Sequence, residues 1–297
     1  MPVTIQGVTS TTSDSPTAVR PAGTVTTRHG PSAMGDDLRR FWELALVLAI
    51  TEFKLRYFGS FLGYFWTLMR PLLLFGVLYF VFTQVVRFGD GVAYYPLYLL
   101  MAVVLWTYFS EVVIQSVRCL VNRERLIRKI RFPRMVVPLS VALTSAFTLG
   151  TNLLALFAFV LASGVTPRLS WLELPVLLVV LVAFATGVAM LVSALFVRFR
   201  DIEPISQVGL QLLFYGSPVI YVIAQLPDSA ERFMAASPVA AVITEMRYAL
   251  IDPAAPTAAD TLGGPVFVLV PLAIAAAVFA LGLWVFNREA PFIAENL

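Results

Sequence analysis

The chain has 297 residues, of which 59% are hydrophobic and 13% are charged, with a mean hydropathy of +0.84 and a net charge of +3. A soluble domain carries roughly 25% charged residues, so this composition excludes an ordinary soluble protein and predicts a membrane protein. The single cysteine, Cys119, rules out an internal disulfide, and the single histidine, His29, argues against a His- or Cys-based metal site.

Residues 1–35 are rich in Ser, Thr, Pro and Gly and contain no apolar stretch of the kind found in a secretory signal. A segment of this composition buries too little apolar surface to offset the conformational entropy that it would lose on folding. We therefore predict that it is a disordered cytosolic tail.

Residues 36–58 are predicted to form an amphipathic helix that lies in the cytoplasmic interface of the membrane. The apolar run from Leu44 to Ile50 is too short to cross a bilayer, and four charged residues share an arc of about 100°, which leaves an apolar face opposite. A soluble cytosolic helix is the alternative. The residues singled out on this helix are Arg39, Arg40, Trp42, Lys54 and Arg56.

The remaining residues, 59–297, are predicted to form an all-α membrane domain, because backbone amides in lipid need partners within their own segment. A bilayer core needs about 20 mostly apolar residues per helix, and six segments meet this requirement. They are residues 64–86, 96–118, 135–163, 172–197, 204–224 and 265–286. The fifth of these is predicted to be polar and kinked, because it contains Gly216, Ser217 and Pro218.

The distribution of basic residues predicts the orientation of these spans. If both termini are cytosolic, 17 of the 21 Lys and Arg residues lie inside, as the positive-inside rule requires. Only four lie outside: Arg87, Arg168, Arg232 and Arg247. We therefore predict a multi-pass protein with both termini in the cytosol.

Prolines interrupt the apolar stretch between the last two predicted spans, residues 225–262. Two short re-entrant helices, near 228–236 and 239–251, fit this segment better than a crossing, and irregular backbone at membrane depth needs a protein or water-filled cover. This favours an outer exit gate, and an ordinary extracellular loop is the alternative. The candidate gate residues are Ser217, Pro218, Tyr221 and Arg247.

Aromatic side chains on the first predicted span share one face of the helix. Four of them lie within about 60° of one another, and aromatic rings can stack on the apolar faces of sugars. Interface belts and helix packing are the alternatives. Glu111 in the second span either pairs with another helix or lines a cavity, and Arg70 is expected to snorkel to the cytosolic interface. The candidate channel-lining residues are Tyr64, Phe75, Tyr79, Phe82 and Glu111.

The cytosolic loop at residues 122–134 is strongly basic and has the pattern of an amphipathic helix ended by Pro133. The positive-inside rule explains its charges but not its amphipathic pattern. A docking helix for a cytosolic partner explains both. The candidate docking residues are Arg123, Arg125, Leu126, Ile127, Arg128, Lys129 and Arg131.

The sequence provides no nucleotide-binding loop, because a P-loop lysine follows a glycine and the only lysines, Lys54 and Lys129, follow Phe and Arg. The pair Asp201 and Glu203 could hold a divalent metal, but a helix cap with a solvated charge is the better interpretation. We predict no catalytic residue and no metal site.

Residues 56–66, Arg-Tyr-Phe-Gly-Ser-Phe-Leu-Gly-Tyr-Phe-Trp, followed by Pro71, resemble the opening of the type 2 ABC exporter permeases. More narrowly, they resemble the permeases that export lipid-linked polysaccharides such as O-antigen, teichoic acid and galactan. The resemblance covers about 40–297, with Arg70 and Ser237 as departures. It continues through Leu126-Ile127-Arg128-Lys129, Phe132-Pro133-Arg134, Phe199-Arg200-Asp201, Ser217-Pro218-Val219-Ile220-Tyr221, residues 238–247 and Phe292-Ile293-Ala294-Glu295.

This resemblance implies a homodimer in the bacterial cytoplasmic membrane, docked on two copies of a separate ATPase that binds ATP and Mg²⁺. The implied substrate is a lipid-linked polysaccharide that enters among membrane lipids near the interfacial helix, and no nucleic acid is implied. The excess of 19 arginines over 2 lysines is typical of a GC-rich genome. Actinobacteria have such genomes, so this excess favours an actinobacterial galactan as the polymer. The alternatives are an ion-coupled secondary transporter, or an ABC exporter of a drug or a lipid.

Overall fold

The computed structural model describes residues 38–57, 61–87, 91–129, 132–223 and 226–290, and every regular element within them is a helix. The predicted tail, residues 1–35, and the motif at 292–295 lie outside the described residues. The α-helices are α1 (Leu38–Tyr57), α2 (Phe61–Tyr79), α3 (Tyr95–Val117), α4 (Cys119–Asn122), α5 (Glu124–Lys129), α6 (Val136–Ala162), α7 (Leu174–Arg198), α8 (Ile202–Tyr215), α9 (Asp228–Ala235), α10 (Pro238–Met246), α11 (Ala258–Leu262) and α12 (Leu269–Glu289).

Short irregular helices extend four of these elements. A π-helix, Phe80–Val85, continues α2, and a second π-helix, Arg247–Ile251, continues α10. Turns of 3-10 helix, Leu169–Glu173 and Pro265–Val268, precede α7 and α12. Pro175 and Pro96 occupy the first turns of α7 and α3, where a proline removes no intrahelical hydrogen bond.

Five predicted spans are confirmed as helices long and apolar enough to cross a membrane. Their bounds lie within a few residues of the prediction, because apolar length is the strongest signal in the sequence. They are Phe65–Val85, Tyr95–Val117, Val136–Ala162, Leu169–Arg198 and Pro265–Glu289.

The kinked span predicted at 204–224 is wrong, because the helix ends before Gly216 and does not continue beyond a kink. Helix α8 has 14 residues and ends at Tyr215, so it extends about 21 Å, short of the roughly 30 Å of a bilayer core. Gly216 follows it as the C-cap, and turns occupy the Ser217 and Pro218 positions. A proline cannot donate the backbone hydrogen bond that would carry the helix onward.

The two short helices predicted between the last spans are present as α9 and α10. Residues Ser229–Ala235 and Pro238–Ile251 meet at a bend of 97°, and they form a sixth candidate span only if the bent pair is counted as one. The C-cap of α9 is Ala236, and Pro238 starts α10 after Ser237. The break between the helices therefore coincides with the proline that the sequence places there.

Helix α3 forms the centre of the bundle, since 78% of its span is buried, whereas only 6% of the α2 span and 17% of the α12 span are buried. Helices α2, α6, α7 and α8 all pack against α3. The apolar outer sides of α2 and α12 are therefore left for lipid or for another protein surface.

The helix predicted at 36–58 is observed as α1, which packs along α6, and its location in the membrane interface stays a prediction. Phe41 and Ala45 are buried, and Thr144 of α6 donates a hydrogen bond of 3.2 Å to the Ala49 carbonyl. Trp42 is 45% exposed on a second side of the helix. Two apolar sides and a charged one, with Arg39 bonded to Glu43, give α1 the surface of an interfacial helix.

Candidate functional sites

A polar network joins the C-terminal ends of α1 and α3. The Arg56 guanidinium donates a hydrogen bond of 2.8 Å to the Glu111 carboxylate and a second bond to the Gln115 side-chain oxygen. Gln115, one turn beyond Glu111 on α3, also donates to that carboxylate. Two roles were open for Glu111, pairing with another helix and lining a cavity. The structure shows both, because Glu111 pairs with Arg56 of α1 and borders a cavity.

This inner cavity has a volume of about 340 Å³ and lies between α2, α3 and α6. Arg70, an exposed residue, lines the cavity together with Arg56 and Glu111, and its snorkelling stays a prediction. The other residues around it are Trp66, Thr67, Pro71, Thr107, Gln115, Thr148 and Asn152. A charged and amide-rich lining at membrane depth is typical of a site that handles polar groups.

A second cavity of about 540 Å³ shares Arg56 and Gln115 with the inner cavity. Arg123 lines it and forms an ion pair with Glu52 of α1, and it also donates a hydrogen bond of 3.0 Å to Ser140 of α6. Burial lowers the pKa of Arg123 to about 10, which leaves the side chain charged at neutral pH.

The predicted docking segment is formed by α4 and α5, with Arg123 between them. Two of its assigned residues face inward: the Arg123 side chain is 16% exposed, and Ile127 is 6% exposed in a cluster with Phe41 and Leu120. Their assignment to the docking surface is therefore corrected, because both side chains anchor the segment to the membrane domain.

Arg125 is exposed and Leu126 is partly exposed, so this part of α5 is presented outward. The side chains of Arg128 and Lys129, and the whole of Arg131, lie outside the described residues. Their docking role stays a prediction.

Another ion pair ties α3 to α8 and was not identified from the sequence. The Arg118 guanidinium donates two hydrogen bonds to Glu203, of which the one from Nε is 2.8 Å long. Glu203 stands in the first turn of α8, where a carboxylate also favours the helix dipole. Asp201 occupies the N-cap position of α8 but its side chain makes no capping hydrogen bond, so the predicted cap is wrong in this respect, and Glu203 is ion-paired where a solvated charge was expected.

At the opposite end of α3, two tyrosines hold the turn that follows α8. Tyr98 donates to the Tyr221 carbonyl at 2.8 Å and also points at the Pro218 carbonyl, while Tyr95 donates to the Ile220 carbonyl at 2.6 Å. These bonds satisfy backbone carbonyls that no helix satisfies. The tyrosines were missed because their partners are more than 100 residues away in sequence.

The four predicted gate residues converge on this turn. Arg247 is 8% exposed, and its guanidinium carbon lies 5.4 Å from the centre of the Tyr98 ring and its Nη2 lies 3.9 Å from Asp252. Ser217 is fully buried and its hydroxyl has no hydrogen-bond partner in the described chain. Arg247 therefore lies on the same tyrosine as the turn that carries the other three residues, and their action as a gate stays a prediction.

The aromatic face predicted on α2 is half-buried against the core of the bundle. The Phe75 and Tyr79 rings stack at 5.7 Å, and both pack with Phe82 against the cluster around α3. The Tyr64 side chain lies outside the described part of the chain. In this protomer the aromatic set therefore serves helix packing, which was one of the alternatives.

We predict that Arg56 and Glu111 are energetically coupled, because their side chains are 35% and 18% exposed and joined directly. A double-mutant cycle with Arg56→Gln and Glu111→Gln is expected to show a coupling of about 1 kcal/mol in thermal unfolding. The same cycle on the exposed pair Arg39 and Glu43 is the control and should give less than about 0.5 kcal/mol. Equal coupling in the two cycles would contradict the structural role of the network.

A family model and two related proteins each match most of this chain. The family of ABC-2 type transporters matches residues 43–251. The O-antigen export system permease protein RfbA of Klebsiella pneumoniae is 29% identical over 212 residues, which cover 71% of this chain and 81% of that protein. The protein of the same name from Myxococcus xanthus is 27% identical over 267 residues, which cover 88% of this chain and 98% of that protein.

Proposed function

Because this chain belongs to the ABC-2 type transporter family, we propose that it is the membrane-spanning subunit of an ATP-driven exporter of lipid-linked polysaccharide. The observation that carries the substrate class is the alignment with an O-antigen export permease along 98% of that protein's length. The arginine excess supports galactan as the polymer. The proposed location is the bacterial cytoplasmic membrane.

The closed packing of one protomer supports a homodimer. Helix α3 fills the centre of the bundle, and the cavities beside it hold a few hundred Å³, far too little for a polymer. A passage for polysaccharide therefore has to form between two copies. The exposed apolar side of α2 is a surface that a second copy can cover.

A separate ATPase is required because the sequence provides no P-loop. Two copies of it, carrying ATP and Mg²⁺, would dock on the exposed side of α5 and beside α1, both of which lie at the end of the bundle that holds the Arg123 and Arg118 networks. This end would face the cytosol, with both termini, and the gate residues around Tyr98 would face outward.

Ion-coupled secondary transport is the competing class. Such a carrier depends on an ionisable residue that changes its charge near mid-bilayer. Glu111 is the only candidate that the sequence offered, and Arg56 already neutralises it. This favours an ATP-driven subunit.

Transport in inverted membrane vesicles tests the proposal. Vesicles that contain this chain and its ATPase are expected to move labelled lipid-linked polysaccharide into a glycosidase-protected compartment when ATP is added. The matched control is the same complex with the ATPase P-loop lysine replaced by alanine, which should abolish protection. Transport by this chain without an ATPase, or transport of drugs or phospholipids but no polysaccharide, would contradict the proposal.

A further inference from the structure

An apolar groove with a volume of about 480 Å³ runs between α1 and the spanning helices α6, α7 and α12. Its walls are residues 135–143 at the start of α6, residues 178–190 of α7 and Phe279 of α12. It shares no lining residue with the two polar cavities. At one end the groove is bordered by the first turns of α1, through Leu38, Phe41 and Trp42.

The chemistry of this groove suits a hydrocarbon and not water. Among its lining side chains, only those of Trp42 and Thr186 carry an N–H or O–H group. The Thr186 hydroxyl already donates a hydrogen bond of 2.7 Å to the Val182 carbonyl of its own helix. A buried water needs two to four polar partners, and apolar cavities that lack them stay dry. The occupant of the groove is therefore apolar.

The dimensions of the groove fit a single acyl chain that lies lengthwise. Leu178 and Met190, the two ends of its α7 wall, are separated by a rise of about 18 Å, and the hydrocarbon of one leaflet is about 15 Å thick. All three wall helices are candidate membrane spans, so the groove opens to lipid. A helix about 10 Å wide would occupy about 1,400 Å³ over the same length, so it would cover the groove without filling it.

Two arginines flank the end of the groove at which α1 lies. Arg39 follows the lining residue Leu38, and Arg134 precedes the lining residue Met135. The ion pair of Arg39 with Glu43 joins side chains that are 88% and 59% exposed, and an exposed pair of this kind contributes little and exchanges readily. Arginines at the membrane surface attract acidic headgroups. The flanking charges therefore select an anionic lipid.

We propose that this groove binds one acyl chain of an anionic phospholipid, whose headgroup lies beside Arg39 and Arg134. The lipid is a resident of the protein and not its cargo, because the groove offers a sugar almost no polar surface. It covers Leu38 and Trp42, which are 68% and 45% exposed, and so holds the start of α1 against α7. The inference requires only that α6, α7 and α12 span the membrane, and it does not depend on the proposed function.

Native mass spectrometry of the full chain, delipidated in detergent and titrated with palmitoyl-oleoyl phosphatidylglycerol, tests this inference. Ala183→Phe and Val179→Trp each place a ring in the groove, whereas Ala273→Phe places one on an exposed part of α12 outside it. We expect each groove variant to weaken lipid binding at least about tenfold, since every methylene group that leaves the groove loses apolar burial. Ala273→Phe should bind like the wild type. Each variant must show the wild-type melting temperature, and two groove variants are used so that either can supply the result.

The headgroup is tested separately with the double variant Arg39→Gln and Arg134→Gln. The wild type should prefer phosphatidylglycerol to phosphatidylethanolamine, and the double variant should reduce this preference at least about fivefold. Arg168→Gln, an exposed arginine away from the groove, is the control. A wild type that binds no phospholipid, groove variants that bind as the wild type does, equal affinity of the wild type for the two lipids, or a polypeptide held at the groove in place of lipid would each overturn the inference.

Discussion

Replacing Arg125, Arg128 and Arg131 together by glutamate is expected to abolish ATPase docking and to reduce ATP-dependent export at least about tenfold. Arg125 is exposed on α5, and all three residues belong to the basic segment that the sequence marks as a docking surface. Reversing three charges at an interface places like charges against each other, which costs several kcal/mol of binding free energy. Co-purification of the ATPase on an affinity-tagged permease measures the loss.

The matched control is the triple replacement of the same arginines by lysine, which keeps the charge and should retain docking. Because cytosolic arginines also set membrane topology, the glutamate variant must show the wild-type melting temperature and elution volume. Arg125→Glu alone should give a smaller loss in the same direction. An ATPase that co-purifies and drives export normally with the glutamate triple would show that another surface makes the contact.

The anchoring side of α5 explains why the basic segment could not be interpreted residue by residue from sequence. A run of arginines indicates a cytosolic, solvated surface, but it does not show which of them faces the protein. Arg123 precedes α5, and its partners, Glu52 and Ser140, come from two other helices. Only the tertiary arrangement separates it from Arg125.

The spans were predictable because the bilayer requires a minimum apolar length, and that requirement acts on each segment alone. Helix α8 shows where this reasoning fails. Gly216, Ser217 and Pro218 predict a kink, but the sequence does not show that the helix stops there, at Tyr215. The turn they form is stabilised by Tyr95 and Tyr98, whose contribution depends on contacts distant in sequence.

Of the candidate sites, the sequence identified the residues but not their partners. Glu111 was recognised as unusual because a charge in a span needs a reason. Its pairing with Arg56 joins the interfacial helix to the centre of the bundle and could not be inferred from spacing. The candidate gate residues were assigned from the sequence around the proline-interrupted segment, and the structure adds Tyr98 as the side chain that contacts both Arg247 and the turn.

Helices α7 and α12 contact each other through two glycines, which the sequence pattern did not single out. A Cβ atom added at Gly187 would lie 2.7 Å from the Phe279 Cα, and one added at Gly282 would lie 3.1 Å from the Gly187 carbonyl carbon. Both neighbours are backbone atoms, so no side-chain rotation can relieve the overlap. Small residues of this kind allow membrane helices to approach closely.

We therefore expect Gly187→Ala and Gly282→Ala each to lower the free energy of unfolding by about 1–3 kcal/mol, because α7 and α12 must move apart. Thermal unfolding in detergent measures the loss. Gly76→Ala on α2 is the control: its added Cβ would meet no atom within 4 Å, so stability should stay unchanged or rise slightly. Since one displacement of the helices accommodates both methyl groups, the double variant should lose less than the sum of the two single losses. Full additivity, or a melting temperature of Gly187→Ala equal to that of Gly76→Ala, would show that the two helices are not held at this distance.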